Sequence, residues 1–420
     1  MNMSRFTKLV VVVVLGLGLP GAAQIDLQKA EQYLQEARQV CERDAGRLWG
    51  VSLCGPLMFV DPQSRMLVAN QIDAEGRLRQ EGNLFVGTYP KEMNIANQAV
   101  IWAGVHWTQL RWPVPGATAA ARQGLLAHEM FHRVQERLGF KMASPPNAHL
   151  DTEQGRVLLR AEMRALRQAL LLSGSARRRA VQDALLFRAA RRGAFPQAEA
   201  EETGLELNEG LCEYTGIKLS RATLAEQHQA AADALARADK SDAYVRSFAY
   251  STGPAYGLLL DTAARDWRTS LRRKPAGLES LLRIKPAAAD SLGVRGAAYD
   301  LAQLRTEEAV RRQKMEERMA QAKARFVDGP VLTIPLVKAA VQFDPTNVYP
   351  FPGQGTVYPD LRLTDEWGIL TVRSGGALVS SDWSKVTVAA AGEGWELELK
   401  PGWSKKPGPR PGDLTVSKDQ

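Results

Sequence analysis

Hydrophobic positions change their spacing several times along this chain, and the changes divide it. From Ile25 to about Trp49, the residues Leu27, Ala30, Tyr33, Leu34, Ala37 and Val40 recur at the helical period, which predicts an opening amphipathic helix. The period then shortens. Val51 to Val60, Met66 to Gln71, Asn83 to Tyr89 and Ala99 to Trp112 are rich in branched and aromatic residues, so they predict the strands of a small antiparallel sheet. Asp61-Pro62-Gln63-Ser64 reads as the turn between the first two. The last strand, with Trp102, His106 and Trp107, would lie either at a cleft edge, where it could pair with an extended peptide, or inside the sheet.

Helical spacing returns with Leu125, Leu126, Met130, Phe131 and Val134, on a helix that stops at Gly139. Asp151 or Thr152 caps the next helix, about Gln154 to Leu172. Ser173-Gly174-Ser175 breaks it, and an arginine-rich helix runs from Ala176 to about Arg192, so the pair predicts an αα-hairpin inserted at about 151–200. More helices are expected at 205–216, at Leu224 to Ala238, from near Tyr250, up to Arg283, and from Leu301 to Phe326. After about Asp328 the pattern becomes short strand-like runs separated by Pro, Gly, Asp and Ser. This predicts a small all-β domain over 328–400, sandwich-like or barrel-like, and a disordered tail over 401–420, where Pro, Gly and Lys dominate.

Composition narrows the class. At 420 residues, 45% hydrophobic and 24% charged, the chain is globular and long enough for two or three domains. The net charge of +8 comes largely from arginines such as Arg177 to Arg179 and Arg191-Arg192, on polar faces of predicted helices without interleaved aromatics. That pattern describes solvated faces and gives no nucleic-acid site. Arg5, Lys8, the apolar run Leu9 to Leu19 and the small residues Ala22-Ala23 form a signal-peptide pattern over 1–23. The run is short of the ~20 residues that span a bilayer, which predicts export to the periplasm or medium with no stable membrane insertion after cleavage. In such an oxidising compartment Cys41 and Cys54 can pair, joining the first helix to the first strand, while Cys212 reads as a small buried hydrophobe.

Within the helix that stops at Gly139 lies His128-Glu129-Met130-Phe131-His132. Histidines four apart on a helix lie one turn above each other, so both imidazoles can reach one cation. Glu129 then flanks the open coordination position, where a general base takes a proton from water. If 205–216 is helical, Glu206, Glu209 and Glu213 share one side, and three carboxylates there repel one another unless a cation lies near. His128, His132 and Glu209 would make a two-His-one-Glu site for Zn2+. Glu213 would orient an imidazole of His128 or His132. For the donor that stabilises an oxyanion, Tyr250 is favoured over Tyr256 and His228, and His106 and His149 are not expected to be ligands.

His128-Glu129-Met130-Phe131-His132 followed by Asn208-Glu209-Gly210-Leu211-Cys212-Glu213-Tyr214 resembles the gluzincin metallopeptidases, which carry their third ligand in an Asn-Glu-Gly type sequence on a later helix. The resemblance implies an α+β fold with a zincin-like catalytic domain over 24–327. It implies zinc held by His128, His132 and Glu209, Glu129 as general base, and a peptide or protein as substrate. The chain departs from the group's compact members in placing 76 residues between His132 and Glu209, and in having Glu213 where many have Asp. No Gly-x-Met-Glu-Asn sequence precedes the motif, which favours an endopeptidase over an aminopeptidase. The alternative is a non-hydrolytic exported zincin-fold binding protein that makes its contacts through the β domain. Glu129 counts against it, because a binding module needs no base beside the metal.

Overall fold

The computed structural model describes residues 25–263, 266–344, 347–392 and 394–419; the predicted signal segment lies outside them. The chain is α+β with a strand-rich C-terminal part. Helix α1, Leu27–Asp44, starts at Asp26, whose side chain accepts from the Lys29 backbone N–H at 3.1 Å. Of the predicted apolar face it buries Ala30, Ala37 and Val40, with Leu27, Tyr33 and Leu34 half-buried, and it buries Cys41 as well. Cys41 is disulfide-bonded to Cys54 with a Cα–Cα distance of 5.2 Å, which pins the end of α1 to the entry of the sheet.

The sheet has six strands: β1 (Leu57–Val60), β2 (Met66–Ala69), β3 (Arg79–Glu81), β4 (Leu84–Thr88), β5 (Gln98–Trp102) and β6 (Val105–Arg111), in the order β3-β4-β2-β1-β6-β5. The Asp61 turn forms as expected, its Oδ1 accepting from the Gln63 N–H at 2.9 Å. Two expectations are corrected. The sheet is mixed, because β1 runs parallel to β6 while the other pairs are antiparallel. The long strand to Trp112 is a hairpin, broken where Ala103 and Gly104 take positive φ values of 46° and 74°, as a tight two-residue turn requires. Hence β5 is the edge strand and β6 is interior.

Helix α2, Ala119–Gln135, is capped by Thr118, which accepts from the Ala121 N–H at 3.2 Å, and its extension ends at Gly139 with φ 89°. Leu126, Ala127, Met130, Phe131 and Val134 face the core. Then come α3 (Glu153–Leu171), α4 (Gly174–Ala194) and α5 (Ala198–Leu205), a π turn at Glu206–Gly210, α6 (Leu211–Ser220), α7 (Leu224–Ala238), α8 (Ala249–Ala263), α9 (Trp267–Arg273), α10 (Leu292–Gly296) and α11 (Leu301–Lys323). Thr152, one of the two candidate caps, accepts from the Gly155 N–H at 3.0 Å. α3 and α4 pair as the predicted hairpin, but α3 also packs on α7 and α8 and puts Leu159, Met163, Leu166 and Ala169 into the main core, so this segment is integral to it. At the centre of that core Trp49 is ringed by Phe131, Phe140, Tyr214 and Trp267, with centroids 5.0 to 6.1 Å away. Its indole N–H donates to Thr215 Oγ1 at 2.9 Å, which ties α6 to the loop after α1.

The C-terminal part has its own core around Leu332, Ile334, Leu363, Trp367, Leu370, Val386 and Val388. Its strands are β7 (Val331–Pro335), β8 (Ala340–Gln342), β9 (Tyr349–Phe351), β10 (Gly355–Tyr358), β11 (Leu361–Asp365), β12 (Gly368–Val372), β13 (Ala377–Ser380), β14 (Lys385–Ala389), β15 (Trp395–Leu399), β16 (Trp403–Pro407) and β17 (Leu414–Lys418). They form a seven-stranded sheet, β16-β17-β7-β14-β13-β10-β9, and a four-stranded one, β15-β12-β11-β8. The expected disordered tail is therefore corrected. Residues 403–418 form a hairpin that joins the larger sheet through the parallel pair β17–β7, and Val416 is buried in this core.

Candidate metal centre

His128 and His132 project from the same side of α2, with ring centroids 5.0 Å apart. Glu209, on the π turn leading into α6, faces both: its Oε2 is 3.6 Å from His128 Nε2 and 3.4 Å from His132 Nε2. These separations exceed the N–H···O range of about 2.7–3.2 Å. Two donor atoms each about 2.0–2.2 Å from a tetrahedral zinc ion stand about 3.3–3.6 Å apart, which is the spacing found.

The far nitrogens set the tautomers. His128 Nδ1 lies 3.0 Å from Glu213 Oε2, and His132 Nδ1 lies 2.9 Å from Gln135 Oε1. The Gln135 amide nitrogen donates to the carbonyls of Leu207 and Asn208 at 2.8 and 2.9 Å, so its oxygen is the end that faces His132. Both partners are acceptors. Each Nδ1 therefore carries a proton, which leaves each Nε2, the atom facing Glu209, as the one that would turn a lone pair to a cation.

The charge balance also favours a cation. Burial lowers the His128 pKa, but the facing carboxylates of Glu209 and Glu213 outweigh it and raise the value to about 10. Burial pushes Glu209 up, while the two histidines hold it well below the ordinary carboxylate range. Glu129 is 4% exposed, and its Oε2 has no hydrogen-bond partner among the described residues. Burial holds its pKa above the usual value. A dication among Glu129, Glu209 and Glu213 would satisfy these carboxylates with both imidazoles neutral.

A second grouping, His128, His132 and Cys212, brings one potential donor atom from each within 4.8 Å. Cys212 approaches the wrong side of the ring. Its Sγ is 3.3 Å from His132 Nδ1, the nitrogen committed to Gln135, and it donates to the Asn208 carbonyl at 3.0 Å. Burial raises its thiol pKa well above the ordinary value, so it is protonated while no cation is bound, and its nearest imidazole atom is the Nδ1 that faces Gln135. Of the two groupings, His128, His132 and Glu209 is the one whose donor number, type and spacing would fit a zinc ion.

Tyr250 lies in this site. Its ring stacks on His128 with centroids 5.7 Å apart and planes 6° from parallel, while 40% of the residue remains exposed. Burial of the phenol and the neighbouring Glu209 raise its pKa, so it is a proton-bearing donor at neutral pH. The other two donor candidates are elsewhere. Tyr256 donates to Glu162 at 2.7 Å in a buried ion network, and His228 Nδ1 lies 3.0 Å from the Leu170 carbonyl. His149 pairs with Glu202 at 2.9 Å, and His106 is exposed on β6.

Glu206 corrects the expectation of three carboxylates on one side. Its oxygens take Arg188 at 2.5 and 2.9 Å and the Thr252 hydroxyl at 2.6 Å. The π turn changes the angular step between Glu206 and Glu209 and sends the first into the core. Glycines make room for this: a Cβ on Gly253 would come 2.4 Å from Gly210 Cα, so α8 could not approach the turn with any larger residue there.

Gln135 is the site residue missed by the sequence reading. Its signal was a glutamine three positions after His132 and seven after His128, which helical spacing puts on the same side as the two histidines.

No family model, curated protein or solved structure matches this chain. What the centre can do follows from its own atoms.

Proposed function

We propose that the chain is an exported zinc-dependent metallopeptidase, with a zincin-like catalytic domain and endopeptidase activity on peptide or protein substrates. The reading is carried by Glu209 Oε2, spaced as a co-ligand from both Nε2 atoms while Glu213 and Gln135 hold both Nδ1 protons. Zinc held by His128, His132 and Glu209 would supply a Lewis acid and bring the pKa of water down towards ~7. Glu129, buried next to the histidines with a free carboxylate oxygen, takes the proton from the attacking water and passes it to the leaving amine nitrogen. The Tyr250 phenol donates a hydrogen bond to the carbonyl oxygen as it gains negative charge. Glu129 is what separates this reading from a zinc-holding binding module.

Export has two supports: the signal-peptide pattern at 1–23 and the Cys41–Cys54 disulfide, a bond that persists in oxidising compartments. Among the described residues no helix is long and apolar enough to cross a membrane. The test is digestion of a broad peptide library read by mass spectrometry. Cleavage at internal bonds, abolished by chelation and restored by zinc, is expected. An uncleaved library at full zinc occupancy would sink the hydrolase reading and favour the binding module.

A further inference from the structure

We propose that Gln135 is a positioning residue that locks the two halves of the metal centre together, fixing the His132 tautomer and the Glu209 turn with one amide. The inference rests on the assignment of His128, His132 and Glu209 as metal ligands. His132 and Glu209 have 76 residues between them in sequence, and they sit on elements whose relative position decides whether their donor atoms meet. Gln135 spans that gap. It is the last residue of α2, fully buried, and both ends of its amide are engaged.

The oxygen end faces His132 Nδ1 at 2.9 Å and also receives the Cys212 thiol at 3.5 Å. The nitrogen end donates to the carbonyls of Leu207 and Asn208, the two residues just before Glu209. Both carbonyls belong to the π turn Glu206–Gly210, and that of Asn208 also accepts from the Cys212 thiol at 3.0 Å, so the Gln135 amide grips the turn from a separate helix. A second bond holds the same turn, from the Asn208 side-chain amide to the Ala143 carbonyl at 3.0 Å, but it makes no contact with a histidine. Gln135 therefore touches both halves and, through its oxygen, the imidazole itself.

The chemistry selects glutamine. A carboxylate here could still accept from His132, but it has no N–H for the two carbonyls and would place negative charge against them. An apolar side chain of the same length would take this partner from His132 Nδ1 and the Leu207 carbonyl and leave the Asn208 carbonyl with the Cys212 thiol. His128 is oriented by the charged Glu213 and His132 by a neutral amide, so of the two imidazoles only His128 has a carboxylate behind its Nδ1.

The test compares Gln135→Met and Gln135→Glu with wild type. Zinc affinity is measured by competition with a chromophoric chelator, folding by circular dichroism and urea denaturation, and the imidazole tautomers by nitrogen-15 correlation spectroscopy on the zinc-loaded chain. Wild type is expected to show His132 protonated at Nδ1 and slowly exchanging Gln135 amide protons. Gln135→Met should remain folded while binding zinc about 10–100-fold more weakly, the usual cost of losing a residue that orients a metal ligand. Gln135→Glu should keep the His132 tautomer yet still lose affinity, because the clamp on the turn is gone. Zinc affinity unchanged in a folded Gln135→Met overturns the proposal. So does a wild-type spectrum with His132 protonated at Nε2, which needs no variant to fold. If wild type itself takes up no zinc, the metal assignment fails instead, and the two failures are told apart by that first measurement.

Discussion

Replacing Glu129 by glutamine separates two consequences of one buried carboxylate. Its Oε2 has no hydrogen-bond partner among the described residues, and burial is the largest cause of its raised pKa. Glu209 and Glu213 push the same way, while His128 and His132 oppose them. A raised folded-state pKa means that the native chain holds a proton the unfolded chain has lost, so stability falls as pH rises from the ordinary carboxylate value of 4.5 through the folded one. Above that window the penalty is complete. A glutamine of the same shape carries no charge to desolvate. An unsatisfied buried polar group costs about 1–3 kcal/mol, more if charged. The amide keeps part of that cost, so a gain of about 1–2 kcal/mol is expected for Glu129→Gln at neutral pH with metal chelated. The effect on turnover has the opposite sign, since losing a general base slows reaction by about 10²–10⁴-fold, or roughly 3–5 kcal/mol of barrier. Urea denaturation in chelator across the pH range, with turnover of the zinc-loaded protein on the peptide library, reads both. The stability gain should be largest at neutral pH and vanish near the ordinary carboxylate range. A variant less stable than wild type at every pH, or one with undiminished turnover, would refute the reasoning.

Three other outcomes follow from the packing and charges. Arg188 is buried among Glu162, Glu206 and Glu279 at 2.5 to 2.9 Å, so Arg188→Met should cost about 3–5 kcal/mol by urea denaturation by stranding those carboxylates; a loss within error would contradict this. Cys54→Ser opens a loop of sequence separation 13 and should cost about 3 kcal/mol, a difference that disappears when both proteins are measured in reductant. With metal chelated, burial lowers and the facing carboxylates raise His128, from 6.5 to about 10. The stability from this group is complete below 6.5 and is lost as pH rises through the folded value, so the wild-type melting temperature should drop across that window while His128→Ala stays flatter. Parallel profiles would show that His128 does not carry the effect.

Local features were legible in the sequence, and features made by distant segments were not. The motif helix could be read because its apolar spacing, its stop at Gly139 and the histidine spacing are all within one element. The Leu224 to Ala238 helix was equally plain, and the Thr223–Glu226 capping box fixes its start. The hairpin at Ala103-Gly104 was hidden because alanine seldom takes positive φ, which left one glycine as the clue. The parallel pairing of β1 with β6 joins segments separated by the rest of the sheet, and strand composition alone does not record direction. Glu206 looked like a third carboxylate on the ligand side because a regular helix was assumed. Arg188, which takes the Glu206 carboxylate, and Gly253, which lets α8 approach the turn at Gly210, lie on other elements. At the C-terminus, the Pro and Gly residues between Pro407 and Gly412 outweighed the apolar Leu414 and Val416, yet those two join a core whose Leu332 lies more than 80 residues earlier.

The central claim is that His128, His132 and Glu209 hold one zinc ion. Metal content and chelator-competition affinity of the purified chain test it directly, with His128→Ala, Glu209→Ala and Cys212→Ser measured alongside. The account predicts stoichiometric zinc in wild type, loss of it in His128→Ala and Glu209→Ala, and near-normal binding in Cys212→Ser. Wild type that binds no more zinc than the two alanine variants would contradict the claim, as would a Cys212→Ser protein that loses its metal while Glu209→Ala keeps it.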